Sequence, residues 1–229
     1  MYLILEALML LSLGGLIAVF QNDLSEWTVL LKSITSLFFV FAGICGYRRR
    51  KQNKKISRTM MIALVCSLAG DVFLALDKEE GILFILGVAS FALAHVMFSL
   101  SFCRISAVKK VDFAGMFLIF GAEMLILGLG KFDFQGLFPV LVVYAGVISF
   151  MVVKALSLFR CRQGRERATY LIMAGGVLFL LSDVLLLFWL FGIGIPKEIQ
   201  SVNWILYYLA QGCLSASLSE RICGPLTEK

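Results

Sequence analysis

The apolar positions of this chain fall into eight long runs, at residues of about 2–20, 28–47, 59–76, 82–103, 113–130, 136–159, 168–191 and 201–220. A helix rises about 1.5 Å per residue, so about 20 such residues cross a hydrocarbon core of about 30 Å. The runs are continuous and do not alternate, which argues against the strands of a membrane barrel. The expected fold is an all-α membrane protein, one polytopic domain built as an eight-transmembrane-helix bundle. No Lys or Arg precedes the first run and no small-residue cleavage site follows it, so a spanning helix is expected there, not a secretory signal.

Composition strengthens this reading. Of the residues, 60% are hydrophobic and 16% charged, where a soluble domain is about 45–50% apolar. Charge collects between the runs and is sorted by sign. Arg48, Arg49, Arg50, Lys51, Lys54, Lys55 and Arg58 follow the second run, Arg104, Lys109 and Lys110 the fourth, and Arg160, Arg162, Arg165 and Arg167 the sixth. The opposite loops hold mainly Asp23, Glu26, Asp77, Glu79 and Glu80. The basic side is expected in the cytoplasm, with both termini. That implies the inner membrane of a bacterium or an endoplasmic-reticulum-type membrane of a eukaryote. The net charge of +6 is then a matter of topology and lipid headgroups, and no nucleic acid partner is expected. Cys45, Cys103, Cys161 and Cys223 stand at cytoplasmic helix ends and Cys66 and Cys213 within helices; reduced, packed thiols are expected. The single histidine and the lack of ligand spacing speak against a metal site, and no cofactor is expected.

The chain contains a faint internal repeat. Met61–Leu76 aligns without gaps with Met173–Phe188, matching Met61/Met173, Val65/Val177, Leu68/Leu180, Asp71/Asp183, Val72/Val184 and Leu74/Leu186. Apolar matches are cheap in membrane helices; the aspartate match is not. Lys32 lies 39 residues before Asp71, and Tyr144 lies 39 before Asp183. Leu93-Ala94-His95 with Ser99 and Ser101 resembles Leu209-Ala210-Gln211 with Ser215 and Ser217. Four helices per unit preserve orientation, so a parallel 4+4 repeat about the membrane normal is expected, with helix 3 opposite helix 7.

Polar residues inside the runs form a layer. Counted from the basic ends, Asp71, Asp183, Lys32 and Tyr144 lie about 20–24 Å deep, as do Tyr207 and Tyr208; His95 and Gln211 lie at about 14 Å. A carboxylate at a helix centre costs about 2.5–3.5 kcal/mol on insertion scales and usually marks a functional interior or wet cavity. The plain alternative is that Lys32 and one aspartate form a packing pair, which leaves the second aspartate unexplained. Glu123 is a candidate to line the same cavity. Glu6 and Lys154 lie near helix ends and are expected to snorkel. His95 fits a hydrogen-bonded core histidine as well as a site residue. Gly175-Gly176 suits close helix packing.

Gly70-Asp71, then Phe84, Gly87, Phe91 and Ala94-His95, resemble the YhhN-like family of lysoplasmalogenases. So do Leu178-Phe179-Leu180-Leu181-Ser182-Asp183, Tyr207-Tyr208-Leu209-Ala210-Gln211, Lys32 and Val143-Tyr144, and the likeness spans residues of about 27–218. Ser33-Ile34 stands where the family often has a proline after the lysine, and Phe98 where it often has a tyrosine. The resemblance implies hydrolysis of the vinyl ether of a lysophospholipid substrate, to a fatty aldehyde and glycerophosphoethanolamine or glycerophosphocholine. It implies Asp71 and Asp183 as catalytic carboxylates. That chemistry needs an acid to protonate carbon, a negative charge beside the oxocarbenium ion and a base for water; two carboxyls in different protonation states supply these, as in glycosidases. Lys32 would keep one carboxylate ionised, Tyr144, Tyr207 and Gln211 would position water or glycerol, and His95 would stand behind them. Transporters share the repeat and the intramembrane charges, but Pro139, Pro196 and Pro225 lie at helix ends, in loops or in the tail and signal no broken helix. One histidine disfavours a zinc-dependent membrane amidase.

Overall fold

The computed structural model describes residues 2–49, 54–77, 81–134, 136–160 and 166–220. Arg50, Lys51, Glu79, Glu80, Cys161, Arg162, Arg165, Cys223 and Pro225 lie outside the described residues. The long runs form eight helices: α1 Tyr2–Gln21, α2 Ser25–Arg49, α3 Lys54–Leu76, α4 Ile82–Ile105, α5 Lys110–Leu129, α6 Phe138–Ser157, α7 Arg167–Phe191 and α8 Glu198–Ser217. A turn of 3-10 helix, Leu158–Arg160, extends α6. The one β-type pairing among the described residues is a bridge between Phe132 and Gly192.

Seven helices, α1 to α7, are long and apolar enough to cross a membrane. α8 falls short in apolarity for a structural reason. Gln200, Ser201, Asn203, Tyr207, Tyr208, Gln211, Ser215 and Ser217 are all buried, so its polarity is turned into the bundle. The Ser182 hydroxyl donates to Asn203 Oδ1 at 2.9 Å and ties α7 to α8 beside Asp183.

α3 packs on α4, α7 on α8, and α1 on α2; α2 meets α8, and α4 meets α6. The tight pairs rest on missing side chains. A Cβ at Gly70 would lie 2.7 Å from the Phe91 ring, and one at Gly175 would lie 2.7 Å from Leu214. Such small residues let helix backbones approach in a bilayer, where dispersion contacts replace the hydrophobic drive. α5 rests mainly on α6, and its Phe117, Leu118, Leu125 and Leu129 are exposed.

One expectation needs correction. Lys154 does not snorkel: it is fully buried and bonds Asp112 Oδ2 at 3.0 Å and the carbonyls of Ser106 and Ala107 at 3.0 and 3.3 Å. Asp112, in the first turn of α5, is buried too and also takes the Arg160 guanidinium. The inward carboxylate offers the ammonium a closer partner than water does. Glu6 is half-buried, with Oε1 shielded and without a hydrogen bond.

Candidate active site

Lys32 and Ser36 are one turn apart on α2 and so share a face. Both meet Asp71 of α3. Lys32 Nζ lies 3.4 Å from Oδ1, and the Ser36 hydroxyl donates to Oδ2 at 2.6 Å. Tyr207 of α8 donates a second bond to Oδ2, also at 2.6 Å. Tyr208 does not touch the carboxylate; its hydroxyl lies 3.1 Å from Ser36 Oγ and donates to the Lys32 carbonyl at 3.2 Å. Asp71 is 2% exposed. It is an enclosed carboxylate with a cation and two donors.

Asp183 of α7 is held from α6 and α4. Tyr144 of α6 donates to Oδ2 at 2.6 Å, and His95 Nε2 of α4 lies 3.1 Å from the same oxygen. A bond from His95 to this carboxylate requires the proton on Nε2, leaving Nδ1 against the Met151 sulfur at 3.3 Å. Neither partner is a lysine or arginine. The other oxygen, Oδ1, has no hydrogen bond from these two residues.

The two carboxylates also differ in what they face. Asp183 lines a cavity of about 80 Å³ between α3, α4, α5, α6 and α7, and Asp71 does not. The cavity has three polar lining side chains, Glu123, Tyr144 and Asp183; Leu74, Phe84, Phe91, Leu127, Ile148, Leu187 and Phe191 are among the apolar ones. A wholly apolar groove of about 450 Å³ between α4 and α6 shares Phe84, Val88, Leu141 and Tyr144 with it, apart from the Tyr144 hydroxyl. Between the two aspartates stands a layer of rings. Phe179 lies 4.6 Å from the His95 ring and 5.4 Å from Tyr207, and Phe91 lies 5.8 Å from Tyr207, all edge to face.

The remaining candidates are placed as follows. Glu123 of α5 accepts a hydrogen bond from Ser149 of α6. Gln211 is fully buried one turn beyond Tyr207 and bonds neither carboxylate. Phe98 is fully buried and stacks on Phe102, so the position where the resemblance suggested a hydroxyl is core. Ser36 and Ser149 were not among the sequence candidates. Ser36 had one usable signal, its i+4 spacing from Lys32; Ser149 had none, because serines are common at helix contacts. Among the described residues, no three His, Cys, Asp or Glu side chains come together as a metal centre requires.

No curated protein and no solved structure matches this chain. A family model does match, that of the YhhN family, over residues 27–218. That stretch holds α2 through α8 nearly whole, with both aspartate clusters and the cavity, and the chain belongs to the YhhN family.

Proposed function

We propose that this chain hydrolyses the vinyl ether bond of lysoplasmalogen-type lipids, releasing a fatty aldehyde and a glycerophospho-alcohol. One observation carries the reading: in a membrane helix bundle, a carboxylate held by a tyrosine and a histidine opens on an apolar cavity. Family membership supports it. The groove between α4 and α6 would take the alkenyl chain from the lipid, and Asp183 would meet the ether carbon.

Vinyl ethers hydrolyse by protonation of the outer alkenyl carbon. The oxocarbenium ion so formed takes up water, and the hemiacetal collapses to aldehyde and alcohol. A carboxylate beside the cation lowers the barrier, as in glycosidases. Tyr144 and His95 fix the Asp183 carboxylate in place and leave Oδ1 to face the cation and accept the water proton. Asp71, behind the rings, serves as a positioning residue: its bond to Tyr207 sets the ring layer that forms the back wall.

We propose further that α8 also spans, making eight crossings, and that the halves form a parallel repeat. At about 1.5 Å per residue its 20 residues reach about 30 Å. The contacts of α2 with α8 and of α4 with α6 are equivalent under exchange of the halves. Each aspartate also takes partners from the preceding helix of its own half and the last helix of the other. The basic loops support a cytoplasmic side for both termini. Thiol labelling from outside should then reach Asp23→Cys and not Asn53→Cys; the reverse pattern would invert the topology.

The function is tested with purified protein in detergent micelles. Lysoplasmalogen should yield aldehyde and glycerophospho product in equal amounts, and the saturated ether analogue should yield neither. A transporter would leave the lipid intact, since a micelle offers no second compartment.

A further inference from the structure

α5 has an inward face although most of the helix is exposed. Asp112, Glu123 and Leu127 share it, because 11 residues are about three turns and 4 are about one. Asp112 and Leu127 are buried. Glu123 therefore points to the bundle, where it lines the cavity with Asp183. Its Oε2 accepts the Ser149 hydroxyl, and Ser149 is fully buried on α6. Among the described residues Glu123 has no ion pair, whereas Asp71 has Lys32 and Asp112 has Lys154 and Arg160. The cavity thus holds two carboxyls and no cation. Two residues, Tyr144 and His95, converge on Asp183, whereas Glu123 takes a single hydroxyl, that of Ser149, on Oε2.

On the vinyl ether reading above, we infer that Glu123 is the acid that protonates the alkenyl carbon, with Asp183 as the base on the same cavity. The O–H bond of Glu123 breaks as the new C–H bond forms, and the electron pair of the alkene makes that bond. The ether carbon becomes an oxocarbenium centre. Water adds to it and gives one proton to Asp183. The hemiacetal hydroxyl then returns a proton to Glu123, the bond from that carbon to the glycerol oxygen breaks, and Asp183 protonates the leaving oxygen. Both carboxyls end as they began, and one water is consumed.

A packing role for Glu123 predicts something different. Gln accepts the Ser149 hydrogen bond as Glu does but cannot deliver a proton. Glu123→Gln should therefore keep the melting temperature of the detergent-solubilised protein and lower aldehyde release by about 100-fold or more, the scale of general acid catalysis. Glu123→Asp, which retains an acid, should recover part of the rate. Turnover of Glu123→Gln within about twofold of the parent would overturn the inference. An infrared spectrum of the substrate-free protein separates this from a failure of the vinyl ether reading. A protonated-carboxyl band should vanish in Glu123→Gln and persist in Asp71→Asn. If Glu123→Gln leaves that region of the spectrum unchanged, the inference is wrong whether or not the parent protein releases aldehyde.

Discussion

Asp71 of α3 and Asp183 of α7 are both carboxylates held inside the bundle, yet their surroundings differ. Each is held by a residue 39 positions earlier, Lys32 in one half and Tyr144 in the other. Around Asp71, Ser36 of α2 and Tyr207 of α8 add hydrogen bonds and the carboxylate is enclosed. Around Asp183, His95 of α4 is added and the carboxylate lines a cavity. A cation beside a buried carboxylate compensates its charge, and hydrogen-bond donors hold its position. The Asp112 cluster resembles the Asp71 one, since Lys154 and Arg160 pair with a fully buried carboxylate.

The comparison can be broken at either carboxylate. The largest effect is expected from Asp183→Asn, which should cut aldehyde release by about 1,000-fold or more while the protein still melts near the parent temperature, because the charge facing the cation is gone. Asp71→Asn should lower activity too, but with a lower melting temperature, since it leaves Lys32 buried without a counter-charge. An Asp71→Asn protein that melts normally and is inactive would mean that both halves do chemistry.

Lys32→Met is the sharper probe of the Asp71 cluster. Breaking a buried pair by removing one partner costs about 3–5 kcal/mol. With Ser36 and Tyr207 still bonded to Asp71, the lower end of that range is expected in thermal melts. Tyr144→Phe should show the opposite profile: stability within about 1 kcal/mol, as for a single hydrogen bond, and turnover down about tenfold as Asp183 loses one of its two tethers. Equal stability losses in these two variants would erase the distinction between the clusters. Tyr207→Phe carries the smallest expected change, about 1 kcal/mol of stability and a few-fold loss of rate, because Ser36 and Lys32 continue to hold Asp71 while the back wall loosens.

Much of this was legible before any coordinates. Eight helices stand where the apolar runs put them, to within a few residues at most ends. The two spacings of 39 were read as a mark of repetition; in the structure both join residues that meet, Lys32 with Asp71 and Tyr144 with Asp183. Rotation about each helix axis was not legible. Helices apolar on all sides carry no stripe that says which side faces in, so the burial of Lys154, the bond from Ser149 to Glu123 and the ring layer between the aspartates could not be read. For the same reason depth alone suggested one shared layer for Asp71 and Asp183, whereas Phe91 and Phe179 stand between their clusters. α8 was read as a helix although its buried polar residues dilute its apolar signal.

The central claim is that a bond to the alkenyl carbon breaks after protonation of carbon, and oxygen-18 water tests it most directly. Water that captures an oxocarbenium ion leaves its oxygen on the aldehyde side, so the glycerophospho product should carry no label. That product does not exchange its hydroxyl oxygens with solvent, unlike the aldehyde. Absence of oxygen-18 in it, with aldehyde formed in equal amount, is the predicted result; oxygen-18 in the glycerophospho product would mean that water attacks the glycerol carbon and would contradict the mechanism built on Asp183.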